Sequence, residues 1–158
     1  MDRNDLINAL QSASNLKHSF DAAEIERLAA HMSIEAIEND ATVMRKGEPA
    51  DSMIFIIDGL VQILDGERQL ALQQKGDFLG ESLFSEEATR LATVKAIEPS
   101  TVGRFTIHDF HQFLQEKQAL AMRFQQYFQA IGTARAQQVA AENYVDSKKY
   151  LALIAHNN

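Results

Sequence analysis

Apolar positions along this chain keep two different periods. In residues 3–14, Leu6, Ile7 and Leu10 suit one face of a short helix. Further on, Ile25, Leu28, Ala29 and Met32 recur at helical spacing. Asp21 stands at the cap of that second segment, with Glu24 three residues later as its reciprocal partner. Phe20 and Ile25 occupy the staple positions that fix the chain's entry. From about Ser33 the spacing shortens. Ile34, Ala36, Ile37, Val43, the run 53–57, Val61 and Ile63 are apolar or β-branched and closely spaced, as strands require. Asp58-Gly59 and Asp65-Gly66 are tight-turn pairs, and the second predicts a hairpin between residues 60–64 and 69–72. Residues 92–96 and 101–105 are two further short strands. Helix returns after Phe105, where Thr106 and Asp109 form a second capping pair and Phe105 with Phe110 a second staple. A single helical stripe then runs on through Leu120, Phe124, Phe128 and Ile131, with Tyr127 beside it and Gly132 as a weak point. Asp146-Ser147 caps a last short helix carrying Leu151 and Ile154.

Six of the seven glycines fall between Gly47 and Gly103. They mark a turn-rich middle between two helical ends. The expected fold is α+β, an antiparallel jelly-roll barrel of about eight short strands flanked by N-terminal and C-terminal helices. The expected organisation is one domain over residues 1–158: helical at 1–32, barrel at 33–106, and C-terminal helices at 107–156.

Composition narrows the function. The chain has no cysteine, which excludes disulfides, thiolate metal sites and a cysteine nucleophile. Residues 1–98 hold 18 acids and 9 bases, and residues 99–158 hold 4 acids and 6 bases. That acid excess argues against broad nucleic-acid binding. The start lacks the pattern of a signal peptide, and the apolar runs are too short to span a bilayer, so a cytoplasmic chain with no membrane contact is expected.

The segment with candidate chemistry is Gly76-Asp77-Phe78-Leu79-Gly80-Glu81-Ser82-Leu83-Phe84, followed by Thr89-Arg90-Leu91-Ala92-Thr93-Val94-Lys95-Ala96. A glycine lets backbone approach a ligand closely. A short helix beginning near Glu81 points free N–H groups at an anion. Arg90 offers a fixed fork of donors that suits a phosphate. Glu81 accepts only, as a ribose hydroxyl needs. Together these describe a nucleotide site.

This segment resembles the phosphate-binding cassette of the cyclic nucleotide-binding domain family: Gly-Glu, apolar residues, a short loop, then Arg and small residues. Three further marks stand in order. Gly47-Glu48-Pro49-Ala50-Asp51 resembles the loop between early strands, Ile56-Ile57-Asp58-Gly59-Leu60-Val61 the turn after them, and Gly76-Asp77 the approach to the cassette. The resemblance covers about residues 16–140. It implies ligand contact by Phe78, Leu79, Gly80, Glu81, Ser82 and Leu83, and by Arg90, Leu91 and Ala92. The cyclic phosphate rests on N–H groups around Ser82 and Leu83 and on Arg90, and Glu81 holds the ribose 2′-hydroxyl. The base lies under the helix after Phe105, with Thr133 and Arg135 as candidate base contacts. The chain departs from the family pattern at Leu91, where a small or hydroxylated residue is usual, and at Thr89 and Ser82.

Other readings compete residue by residue. Glu81 and Arg90 also suit an internal salt bridge in a domain of the same fold that binds no ligand. Phe124, Tyr127, Phe128 and Ile131 suit core packing first, and a lid or dimer seam second. His108 and His111 share a helix face without an obvious third metal ligand. Residues 33–106 contain no histidine, which weakens a cupin-type metal site. No Gly-x-Ser-x-Gly elbow is present. Lys148-Lys149 reads as a solvated face. The expected function is therefore a stand-alone sensor of cAMP or cGMP, not an enzyme, with no metal and no cofactor. It signals to a partner protein, or through self-association, by its C-terminal helices. The residues after the long helix are too few for a helix-turn-helix, so no direct DNA binding is expected. The alternatives are a ligand-free interaction module of the same fold and a binder of a cyclic dinucleotide.

Overall fold

Three helix starts are set by the same local chemistry, a carboxylate or hydroxyl that accepts from a backbone N–H three residues on. In the computed structural model, Glu24 N–H donates to Asp21 Oδ1 at 2.8 Å and Asp21 N–H to Glu24 Oε1 at 3.0 Å. Asp109 N–H donates to Thr106 Oγ1 at 3.0 Å and Thr106 N–H to Asp109 Oδ2 at 2.9 Å. Both boxes stand where the sequence places them. Asp2 and Asp5 make a third, beyond the two expected. A cap of the kind at Asp21 or Thr106 stabilises its helix by about 1 kcal/mol. The structure describes residues 1–13, 16–80, 89–90 and 92–145, the last fourteen of these as backbone only.

The helices are α1 (Arg3–Ser12), α2 (Leu16–Ser19), α3 (Ala22–Ala30), α4 (Ile107–Glu116) and α5 (Gln118–Val145). Between α3 and α4 lie β1 (Ser33–Ile37), β2 (Thr42–Met44), β3 (Ser52–Asp58), β4 (Leu60–Asp65), β5 (Arg68–Gln74), β6 (Phe78–Leu79), β7 (Thr93–Ala96) and β8 (Ser100–Thr106). They form two antiparallel sheets of four, in the orders β1-β8-β3-β6 and β2-β7-β4-β5. This is a jelly-roll sandwich with helices covering one face, as the strand pattern predicts. The Asp65-Gly66 hairpin is present as the β4–β5 pair, with Asp65 opposite Arg68.

The run of apolar residues in β3 has a direct cause. Ser52 to Ile57 are all buried, because both faces of this strand are covered. Ile54 and Ile56 point between the sheets, where they meet Ile37, Val61, Leu79, Val94, Ala96 and Val102. Met53, Phe55 and Ile57 point the other way, into a core shared with the helices. That second core contains Leu6, Leu10, Leu16, Phe20, Ile25 and Leu28 from the N-terminal helices, and Phe113, Phe124 and Phe128 from α4 and α5. Phe20 and Phe124 stack with centroids 3.8 Å apart. Phe124 and Phe128 are therefore core residues, and Tyr127 and Ile131 pack partly buried against them.

The single C-terminal stripe expected from sequence is instead two helices, broken at Lys117 (φ −143°, ψ 75°). Packing explains the break. Phe113 and Phe124 are eleven positions apart, about 16 Å along one continuous helix. Their rings lie 5.9 Å apart, which only a turn between them allows. The helix expected around Leu151 and Ile154 falls outside the described residues.

Gly59 makes the turn between β3 and β4 at φ +115°. A Cβ there would stand 2.6 Å from Ser100 Cα. Gly59→Ala is expected to cost at least about 2 kcal/mol, which lowers the midpoint by roughly 4–8 °C in a chain of this size. Gly66 also has positive φ, but open space surrounds it, so Gly66→Ala is expected to cost about half as much or less. Calorimetry of the two variants checks this, and equal losses would refute the packing account.

Candidate functional site

The site is built where β6 leaves the sheet. A Gly76-Asp77 turn aims the chain back along β3: Gly76 N–H donates to Ile56 O at 2.9 Å, and Ile56 N–H to Asp77 O at 3.0 Å. Asp77 Oδ2 also accepts from Gln74 N–H at 2.9 Å. β6 then pairs Phe78 with Phe55 and Leu79 with Ile54. Two residues are too short a strand to carry a period visible in the sequence. Leu79 faces between the sheets. Phe78 faces the helices, with its ring 4.6 Å from Phe55 and 5.1 Å from Phe128.

Gly80 follows at φ +87°, a conformation that favours glycine. A Cβ at this position would lie 2.7 Å from Arg90 Nη1, 2.9 Å from Met44 Cε and 2.9 Å from Ser52 O. Two residues ten apart in sequence are thus in contact, and the absent side chain is what lets the guanidinium in.

Arg90 is only 6% exposed. Its backbone is fixed at both ends of the peptide: Gly47 N–H donates to Arg90 O and Arg90 N–H to Glu48 O, each at 2.9 Å. An isolated bridge between Pro49 and Thr89 continues the contact. The loop Gly47–Asp51, singled out from sequence, is therefore the seat of Arg90's backbone. The side chain donates from Nη2 to Ser52 O and to Ser52 Oγ, the latter at 3.5 Å. Asp51 approaches Nη2 at 4.0 Å, but its carboxylate is 78% exposed and so largely screened. A guanidinium taken this far from water needs its donors bonded and its charge answered. The arrangement is a buried, backbone-anchored cation next to a glycine, a form suited to a small oxyanion.

Three residues joined to this cation in a chain of hydrogen bonds lie outside the motifs legible in the sequence. Ser52 is 2% exposed and receives Arg90 directly. Arg104 Nη1 donates to Ser52 Oγ at 2.8 Å. Glu35 takes Arg104 at 2.7 Å through Nε and 3.3 Å through Nη2. A signal for Arg104 was available: it shares strand parity with Val102, so a charged residue sits on a face otherwise turned to the inter-sheet core.

Of the residues expected to touch ligand, Gly80 and Arg90 are brought together, with Leu79 leading into them. Ala92 lies partly buried in the bend before β7. Glu81, Ser82, Leu83 and Leu91 fall outside the described residues. Thr133 and Arg135 lie on the backbone of α5, with their side chains outside the description. His108 and His111 are exposed on α4. Among the described residues no group of three metal-ligating side chains occurs, and no helix is long and apolar enough to cross a membrane.

Gly80→Ala places a Cβ against Arg90 and Ser52 in a backbone conformation unfavourable to alanine. The expected loss is more than about 2 kcal/mol in urea unfolding. A variant as stable as the parent would mean that Arg90 does not occupy this position.

Among curated proteins, the chain is 31% identical over 97 residues to the cAMP-activated global transcriptional regulator CRP of Pasteurella multocida, a match covering 58% of this chain and 46% of that protein. It is 30% identical over 103 residues to the CRP-like protein Clp of Xanthomonas campestris, covering 61% and 45%. The matched segment spans about half the length of these relatives. Among solved structures, a cyclic nucleotide-binding domain from Methylobacillus flagellatus superimposes with a TM-score of 0.70 at 18% identity, covering 92% of this chain and 83% of that one. The cAMP-bound PfPKA-R gives 0.63 at 20% identity, covering 82% and 45%. At such identities these two likenesses establish the fold. The family model of the cyclic nucleotide-binding domain matches residues 34–117, just over half of the chain and the stretch that holds β1 to α4. By fold and by that match, this chain belongs to the cyclic nucleotide-binding domain family.

Proposed function

We propose that this chain binds a cyclic nucleotide, cAMP or cGMP, and works as a regulatory sensor rather than an enzyme. The observation that carries the reading is Arg90: a buried guanidinium, tied at both its N–H and its carbonyl to the loop after β2, and packed against Gly80. In this reading Arg90 takes the cyclic phosphate, helped by N–H groups of Ser82 and Leu83. Glu81 takes the ribose 2′-hydroxyl. Leu91 and Ala92 line the phosphate side, with Phe78 and Leu79 behind, and Thr133 and Arg135 meet the base. Leu91 offers no hydroxyl, so the phosphate relies on Arg90 and backbone donors.

The signal leaves through the C-terminal helices. Phe78 belongs to the strand that enters the cassette, and its ring touches Phe128 on α5. A ligand that draws the cassette inward shifts the population of α5 arrangements by as much as its affinity for them differs. The receiver is a partner protein or a second copy of the chain, in the cytoplasm, rather than DNA read directly by this chain. The cAMP-activated regulators among its relatives support cAMP as the first ligand to test.

Thermal unfolding with cAMP, cGMP and a cyclic dinucleotide tests the reading. Ligand at about 100 times its Kd adds roughly 2.7 kcal/mol to the native state, a rise of about 5–11 °C. The expected result is a shift with one cyclic mononucleotide. A shift with the dinucleotide alone would reassign the ligand, and no shift from nucleotide-free protein would leave a ligand-free module. Arg90→Ala, titrated by calorimetry, is expected to weaken binding by about 2–5 kcal/mol. Unchanged affinity would remove Arg90 from the site.

A further inference from the structure

Two arginines reach Ser52. Arg104 Nη1 donates to Ser52 Oγ at 2.8 Å, and Arg90 Nη2 approaches the same oxygen at 3.5 Å. The sheet register fixes this meeting. Arg104 on β8 lies opposite Ser33 of β1 on one side and Ile54 of β3 on the other. Glu35 and Ser52 are each one same-face step from those partners, so all three side chains stand on one face as diagonal neighbours. Arg90 comes to this face from a different segment. Two positive charges are therefore placed around one hydroxyl, which only a compensating charge makes inexpensive. Asp51 faces Arg90 at 4.0 Å, and Glu35 compensates Arg104 in a two-point pair through Nε and Nη2. The Arg104 side chain is 21% exposed and that of Glu35 42%, so their field is weakened by solvent but not abolished.

We propose that Glu35 and Arg104 are a specificity-determining pair for the anion that Arg90 receives. Arg104 adds a second positive charge beside Arg90, and Glu35 sets how much of it the ligand feels. The ligand class rests on the cyclic nucleotide reading above; the charge relation between the pair and the seat does not. With Glu35 in place the seat gives a doubly charged phosphomonoester a smaller advantage over a singly charged phosphodiester than it would without that carboxylate. An added positive charge acts twice as strongly on a dianion as on a monoanion at the same distance. Removing Glu35 therefore favours the dianion, and removing Arg104 leaves an uncompensated carboxylate that opposes both.

The test compares E35Q, R104M, R104K and the E35Q/R104M double variant with the parent, each first shown to unfold cooperatively without ligand. E35Q is expected to bind cAMP roughly threefold tighter and 5′-AMP roughly tenfold tighter, the scale of a partly screened charge. R104M is expected to weaken both, the double variant to recover most of that loss, and R104K to stay near the parent. A pair that merely holds the fold together predicts weaker binding for E35Q and R104M alike. That result, or no change in either, overturns the proposal. Inorganic phosphate, read by thermal unfolding, is the second probe. If no cyclic nucleotide binds but phosphate stabilises E35Q more than the parent and R104M less, the cyclic nucleotide reading falls and the pair stands. If cyclic nucleotide binds normally and the two variants fail to move in opposite directions, the pair falls and the reading stands. If neither probe stabilises any variant, both fall.

Discussion

Strand β3 meets solvent only at its last residue, Asp58, and the rest of the molecule is arranged around that constraint. A strand covered on both faces needs a layer on each. Ile54 and Ile56 supply the inter-sheet core, while Met53, Phe55 and Ile57 require helices on the opposite face. Burying an aliphatic or aromatic side chain stabilises by roughly 1.5–3 kcal/mol, so five such residues in one strand dominate local energetics. The same strand begins with Ser52, whose carbonyl and hydroxyl receive Arg90. The residue that anchors the candidate site is thus held by the most constrained strand in the fold.

Placing a guanidinium at this depth is costly, and the surroundings show how the cost is met. Arg90's backbone is tied to Gly47 and Glu48, so the side chain starts from a fixed point. Gly80 gives room where any other residue would collide. Ser52 provides oxygen acceptors, and Glu35 answers the second arginine that the sheet register brings in. These contributions come from β1, β3, β8, the loop after β2 and the segment after β6. A site assembled from so many segments is rigid only as far as the sandwich is rigid.

The helices bear on the site through aromatic contacts. Phe78 touches Phe55 behind it and Phe128 on α5. α5 is in turn held to the N-terminal helices by the Phe20–Phe124 stack and by Arg123. The Arg123 guanidinium lies 4.9 Å from the Phe20 ring centroid and pairs with Glu24. Phe78 therefore gives β6 a direct contact with α5, and the N-terminal layer holds α5 from behind.

Local chemistry was legible in the sequence wherever a few adjacent residues decide the outcome. The capping boxes at Asp21 and Thr106, the Asp65-Gly66 hairpin and the alternation of strands and turns each depend on neighbours within about four positions. The Gly80 and Arg90 motif was legible because type and spacing are distinctive, and the core role of Phe124 and Phe128 followed from helical period. Packing decided the rest. The break at Lys117 carries no glycine or proline and exists because Phe113 and Phe124 must meet. The two residues of β6 are too few to show a period. Ser52, Glu35 and Arg104 stand apart from Arg90 in sequence, and only strand register brings them to one face. Sequence by itself determined most of the segments that become helix or strand and singled out Gly80 and Arg90 as candidates. Tertiary structure alone decided what surrounds that cation, because contacts across strands depend on register, and register is set by the whole sandwich.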